Sequence, residues 1–385
     1  MDFHLAEIDL GSDPDIPLSR FWDGIADVER EDSLEQFGYD DLAWSDNPAR
    51  VAALRDQRDY RRLVLLAIEG NASSGPVGPL GYRAVPANGD TSTVPDAVLG
   101  VIFADVTLHD NEHMGYVDLT VRPGHRHEGI GGALLEAAES YLQSQDRTTF
   151  VGWSMVTSAL SDDQDGTIPD PTGTIRVSTE HDVVGFALAH GYAFSQAERH
   201  SLQPLPVPED LLAAALAEGE AKGQGYEVVQ FAGMPPNDLL AGLVPLFAAM
   251  ATDPPLGDVD WRPEVWDTDR VIRAYEQMMV GKDVYTTLAR HVATGEIAAF
   301  TQLRGIHTKP EVVYQENTLV LSPHRGHALG LWAKAANCAF IMRERPSSCR
   351  VHTWNADEND YMLAINTRLG YHRESIGAAW QKVLH

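Results

Sequence analysis

Between Val117 and Leu135 the chain reads VDLTVRPGHRHEGIGGALL, and this stretch holds the residue types that grip an anion. Val117, Leu119 and Val121 alternate with Asp118 and Thr120, as in a half-buried strand. Arg122-Pro123-Gly124 stops it. Arg126, His127, Glu128, Gly129, Ile130, Gly131 and Gly132 then open a helix whose apolar face runs through Ala133, Leu134, Ala137, Ala138 and Tyr141. Glycine at such a turn removes the Cβ where something must approach the backbone closely. The helix start offers unpaired N–H groups and a partial positive charge. Together these make a cradle for phosphate or pyrophosphate.

Spacing narrows the kind of cradle. No Gly-Lys-Ser/Thr follows, which excludes the loop of P-loop nucleotide-binding proteins. Leu134 stands where the dinucleotide pattern G-x-G-x-x-G needs its third glycine. The order Val-x-Pro-x-x-Arg-x-x-Gly-x-Gly, met by Val121, Pro123, Arg126, Gly129 and Gly131, resembles the acetyl-CoA signature of the GNAT superfamily of N-acetyltransferases. The other reading is an ordinary glycine-rich turn of an α/β protein.

The elements that must position this loop follow from periodicity. Strands are expected at 4–9, 63–69, 97–107, 150–156 and 192–202, and helices at 17–31, 48–60 and 181–190. Residues 70–95 and 158–178 read as loops rich in Gly, Pro, Asp and Ser. From Tyr226 the order repeats. Strands are expected at 226–231, 285–291, 296–303, 312–321 and 349–354, and helices at 237–250 (capped by Asn237), 270–279, 329–343 and 357–369. Val121, Arg126 and Gly131 match Val320, Arg325 and Gly330 at an offset of 199, while Gly191-Tyr192 matches Gly370-Tyr371 at 179. The difference is the length of the 158–178 loop, so the first copy carries an insertion there. Repeats of this size are duplicated domains. The expected fold is a mixed α/β sheet in two tandem domains, residues 1–205 and 226–385. A Pro-rich linker and a helix fill 206–225.

The whole chain thus resembles a tandem GNAT protein. The resemblance implies that each sheet splays between its fourth and fifth strands and that acetyl-CoA lies in the split. Its pantetheine would follow the fourth strand and its pyrophosphate the next loop. In the first copy these positions are Leu119, Thr120, Val121, Arg126, His127, Glu128, Gly129, Ile130, Gly131 and Gly132. In the second they are Leu319, Val320, Arg325, Gly326, His327, Ala328, Leu329 and Gly330, with Asn355 and Asn359 farther on. Ala328 stands where glycine is usual and Ser322 where proline is usual. An amine attacks the thioester directly, and a base takes its proton. At the uniform offset the fourth strand of the second copy presents Glu316 and Tyr314, against Val117 and Gly115 in the first. The resemblance implies a base on this strand beside the split, so Glu316 is the expected base and Tyr314 its catalytic neighbour, which places the chemistry in the second domain. The other reading of Glu316 is an ion-paired strand residue. Two alternatives stay open: catalysis in the first domain with 158–178 as a lid, and a non-catalytic acyl-CoA-binding protein.

Composition bounds the partners. With 385 residues and a net charge of −27, the chain is a poor ligand for nucleic acid, which needs a basic patch. A negative field suits a cationic small-molecule amine acceptor. The acidic stretch 252–269, with Trp261 and Trp266, reads as an amine pocket or as a packed surface segment. No apolar run approaches the length of a membrane span, and the N-terminus lacks the basic and apolar regions of a signal peptide. Two cysteines, Cys338 and Cys349, fit a reducing cytoplasm, with Cys338 a small buried hydrophobe. No metal is expected: His125 and His127 flank Arg126 on a loop without further ligands.

Overall fold

The computed structural model describes residues 2–8, 10, 19–70, 75–85, 95–157 and 165–384. In chain order the first repeat comprises β1 (Phe3–Ile8), α1 (Phe21–Phe37), α2 (Asn47–Arg55), β2 (Tyr60–Glu69), β3 (Ala84–Val85), β4 (Val98–Thr107), β5 (Met114–Val121), α3 (Ile130–Ser144), β6 (Thr149–Val156), β7 (Thr167–Pro169), β8 (Arg176–Ser178), α4 (Asp182–Ala189) and β9 (Ala193–Pro204). A connecting helix α5 (Glu209–Lys222) leads to β10 (Tyr226–Ala232), α6 (Asn237–Met250), α7 (Thr268–Met278), β11 (Lys282–His291), β12 (Ile297–Ile306), β13 (Val312–Val320), α8 (Leu329–Glu344), β14 (Arg350–Ala356), α9 (Asp360–Arg368) and β15 (His372–Val383). The mixed α/β class and the duplication are as the sequence implies.

The chain folds as two compact units, and they do not follow the sequence boundary near residue 205. One unit is 1–157, 178–195 and 379–385; the other is 158–177 and 196–378. The reason lies in the last strands. From Gln196 onward β9 belongs to the second unit, where Arg350↔Pro204 through Ala356↔Glu198 pair it antiparallel with β14. The Pro-rich segment after it is packed: Leu205 N donates to Cys349 O at 2.7 Å and Val207 is buried. The chain's final residues complete the first unit, where Leu384 N donates to Thr148 O and Trp380 Nε1 to Ser154 Oγ, both at 2.8 Å.

In the first unit α1 buries Phe21, Trp22, Ile25 and Val28, a helical stripe, against Val64, Leu66 and Ile68 of β2 and Val98 and Val101 of β4. Gly38 ends it at φ 75°, its N–H returning to Leu34 O. Asp46 caps α2 by accepting from Ala49 N at 2.9 Å. On the opposite face α3 comes close because Gly100 and Gly115 carry no side chain. A Cβ on Gly115 would lie 2.6 Å from Leu142, and one on Gly100 3.1 Å from Ile130. In the second unit α6 and α7 cover one face through Leu243, Phe247, Val271 and Tyr275. α8 covers the other through Leu331, Ala335 and Ile341, with Val313 and Val351 beneath. The expected Asn237 cap is replaced: Pro236 occupies the cap position of α6 without a side-chain hydrogen bond. The expected 158–178 loop contains the β7–β8 hairpin, pinned by Ile175 N to Asp170 Oδ1 at 2.8 Å; its 158–164 portion lies outside the described residues.

The helix that carries the second cradle, α8, holds an unusual interior residue. Lys334 is 1% exposed, with its ammonium 5.1 Å above the Tyr371 ring. Burial lowers its pKa from 10.5 to about 8, more than the nearby Cys338 thiol raises it. A depressed lysine pKa in the folded state costs stability wherever the unfolded chain still binds the proton. The cost is therefore complete at neutral pH, shrinks as pH rises from about 8, and is gone above 10.5. Lys334→Met should stabilise the protein at pH 7 by at most roughly 3 kcal/mol, the energy of the shift. The gain should vanish by pH 11 in denaturant titrations.

Candidate functional site

Each unit contains a fork between two parallel strands. In the first, β5 and β6 pair from Met114↔Thr149 to Val117↔Gly152 and then part. In the second, β13 and β14 pair from Val312↔Arg350 to Tyr314↔His352 and then part. Parallel strands that separate leave unpaired backbone N–H and C=O groups on both prongs, which an extended ligand can satisfy. Leu119, Thr120 and Val121 lie on the prong of the first fork, Leu319 and Val320 on that of the second.

Both prongs lead into the same turn. Gly129, at φ 84°, precedes α3, and Ala328, at φ 55°, precedes α8; neither helix has a side-chain cap. The first-turn N–H groups are thus free of helical partners. Two further left-handed residues, His127 and Gly326, shape the loops. Gly131 and Gly330 serve packing: a Cβ would sit 3.1 Å from Phe186 in one copy and 3.3 Å from Ile365 in the other. The loops therefore have one backbone shape, and Ala328 holds it at a cost that glycine avoids. A Cβ on Gly129 would meet nothing within 4 Å, so backbone strain alone is at stake there. Gly129→Ala should destabilise the protein by about 1 kcal/mol and Ala328→Gly should stabilise it by a similar amount. Urea midpoints read both.

The loop cations are engaged. Arg126 pairs with Asp32 at 2.7 Å and Glu35 at 2.6 Å, both on α1. Arg325 donates to Val320 O at 3.3 Å and pairs with Asp253 at 2.8 Å. An anion at either turn would therefore meet backbone N–H groups before an uncommitted cation. His127 lies 3.3 Å from Asp182, and Glu128 faces His125 at 3.8 Å. His327 packs its ring beside Tyr226. Asn359 caps α9, accepting from Met362 N at 3.1 Å, and Asn355 accepts from Asn366 at 2.7 Å. Among the described residues no three His, Cys, Asp or Glu side chains gather as a metal would need. The Trp261–Trp266 stretch is tied up internally, with both indoles donating to Glu264 and Arg270 lying 4.4 Å over the Trp266 ring.

The forks' floors match differently from the uniform offset. Strand β13 carries a bulge: Thr301 pairs Thr318, but Leu303 pairs Gln315, so one extra residue enters β13. Gln315 steadies it, its amide donating to Gln302 O at 2.7 Å and Thr301 Oγ1 at 3.0 Å. Strands β4 and β5 pair without interruption. Below the bulge the true partner of Tyr314 is therefore Tyr116, not Gly115. Tyr116 stacks on Trp153 with ring centres 6.0 Å apart, as Tyr314 lies 6.0 Å from Trp354. Glu316 then corresponds to Asp118, not Val117, so both forks carry a carboxylate at the same place.

The two carboxylates differ in surroundings. Glu316 is held by Arg304 of β12, whose Nε donates to it at 2.6 Å. The Asp118 side chain makes no hydrogen bond or ion pair among the described residues. It shares a sheet face with Tyr116, Asp105 and Phe103, whose ring lies under Arg50 of α2. Water reaches it in the open fork, yet dense protein surrounds it. Lost hydration raises its pKa from 3.8 to about 6, helped by Glu29, Asp105 and Asp32 and opposed by Arg50. Asp105 is likewise raised to about 6 by burial, against Arg62 at 3.4 Å. A periodicity reading sees Asp118 as a polar strand residue; only the register exposes its match to Glu316.

Twin forked sheets, each opening onto a left-handed turn and a helix start, make a duplicated mixed α/β fold. Residues 34–163 match the acetyltransferase (GNAT) family. A tandem GNAT protein from the clavulanic acid biosynthesis pathway, solved without AcCoA, is 21% identical and superposes with a TM-score of 0.67 over 99% of this chain and 98% of its own. A GCN5-related N-acetyltransferase from Sphaerobacter thermophilus is 15% identical, with a TM-score of 0.56 over 99% of this chain and 95% of its own. No curated protein matches the sequence. The chain has the fold of a tandem GNAT protein, and its residues 34–163 match the GNAT acetyltransferase family model.

Proposed function

We propose that the protein transfers an acetyl group from acetyl-CoA to the amine of a small molecule, and that the first unit's fork is the seat of transfer. The observation that carries this reading is Asp118, an unpaired carboxylate with a pKa of about 6 one residue past the last β5–β6 pair. Such a group is basic enough to accept a proton from an arriving ammonium near neutral pH and, once protonated, acidic enough to pass it on. The amine lone pair then forms the N–C bond as the C–S bond breaks. The sulfur keeps that electron pair and takes a proton. The β5 prong supplies N–H groups for the developing oxyanion, and the cradle before α3 supplies them for the pyrophosphate.

In the second unit Glu316 and Tyr314 form the alternative seat. Its cradle has the same backbone shape, and Tyr314 and His352 close its fork. Against it, Glu316's charge is already matched by Arg304. The test compares Asp118→Asn with Glu316→Gln in thiol release from acetyl-CoA over an amine panel. Asp118→Asn should lower kcat at least ~100-fold. The wild type should lose about tenfold in kcat/KM per pH unit below pH 6 as Asp118 protonates, and the Asn variant should lack that limb. Loss of turnover in Glu316→Gln with Asp118→Asn unharmed moves the chemistry to the second unit. No release with any amine, despite acetyl-CoA binding, removes the transferase reading.

A further inference from the structure

The two copies treat the edge of their sheets differently. In the first unit the segment that follows β2 returns to cover the first strand, β1. Glu7↔Ala84 and Ile8↔Val85 pair β1 with β3, and the Glu7 carboxylate accepts from Leu80 N at 2.9 Å and Tyr82 N at 3.1 Å. The matching first strand of the second unit is β10. No covering segment follows there, because β11 passes to β12 through the short 292–296 turn. Among the described residues β10 therefore has β11 on one side and no strand on the other.

Alternation fixes which backbone groups are left over. Val292 N donates to Gly225 O at 2.9 Å and Gly233 N to Val284 O at 2.8 Å, so the odd-numbered residues of β10 bond to β11. The N–H and C=O groups of Val228, Gln230 and Ala232 point outward, and no backbone partner for them stands among the described residues. The devices that usually blunt such an edge are missing. β10 has no proline, no lysine and no bulge, and its one charge, Glu227, is tied to Arg290 at 2.8 Å.

The strand is also complementary to itself. A second β10, turned about a two-fold axis at Gln230, sets Val228 opposite Ala232 and Gln230 opposite Gln230, and these pairs exchange the outward hydrogen bonds. Between them Val229 meets Phe231 twice, on the face where both already pack against the α6–α7 core. That is an aromatic pair with a β-branched residue, a favourable cross-strand contact. Glu227 meets Gly233, so no like charges face each other. A strand of unrelated sequence has no reason to match in this way.

We propose that β10 is a homodimer interface, at which two copies of this chain join edge to edge in antiparallel register about Gln230. Sedimentation equilibrium of the full chain at about 100 µM should give twice the monomer mass. Ala232→Pro removes an outward N–H without touching a β11 bond, a change that an edge strand tolerates. It should leave the circular dichroism spectrum intact and weaken the dimer at least about tenfold. Cysteines read the register in a Cys349→Ser background, which removes the exposed native thiol. On oxidation Gln230→Cys should cross-link to itself, whereas Val228→Cys should cross-link to Ala232→Cys and not to itself. A monomer at that concentration overturns the proposal and leaves the edge to a strand of another protein. A dimer that survives Ala232→Pro and lacks the Gln230→Cys cross-link also overturns it, since its interface lies elsewhere.

Discussion

Everything functional in this protein depends on a ladder that stops. Parallel strands normally keep their hydrogen bonds to the end, because an unpaired backbone group away from water is costly. Here β5 leaves β6 after Val117↔Gly152, and β13 leaves β14 after Tyr314↔His352. Each departing strand runs into a turn that only a left-handed residue can close, and then into a helix start with no side-chain cap. Fork and helix start thus leave unpaired backbone groups at either end of one short turn. Gly100 and Gly115 on β4 and β5, and Gly131 and Gly330 in the first turns of α3 and α8, let neighbouring elements press close without a side chain in the way.

The two copies spend their charges in different ways. In the second unit ion pairs close locally, Arg304 on Glu316 and Arg325 on Asp253. In the first, Arg126 and Arg122 reach to α1, Arg62 pairs with Asp105, and the Asp118 carboxylate has no ion pair of its own. Desolvation outweighs the nearby guanidinium charge at both aspartates, and their pKa values rise. Duplication with divergence of one residue pair thus separates a protonatable fork from a neutral one.

Much of this was legible in the sequence. Val121, Pro123, Arg126, Gly129 and Gly131 identified the cradle, because each answers a local steric or hydrogen-bonding need. The repeat offset located the second cradle even though Ala328 replaces glycine. What could not be read was non-local. A bulge is invisible to an ungapped offset, and it moved the partner of Glu316 from Val117 to Asp118. The pairing of Glu316 with Arg304 needs strand neighbours that lie twelve residues apart in sequence. Strand β9 looked like the end of a domain because its Pro-rich sequel looks like a linker. Its pairing with β14 is a choice of partner that no local pattern encodes.

That choice has a consequence for how the chain comes off the ribosome. The first unit takes in 379–385, so its sheet stays incomplete until those residues have been made. Until then the flank of β6 that β15 will cover is an open edge, a template for mispairing with another chain. The second unit has the opposite history, since the strand that lines β14 is made well before β14 itself. Each half of the duplication is thus topologically unfinished without a strand from the other.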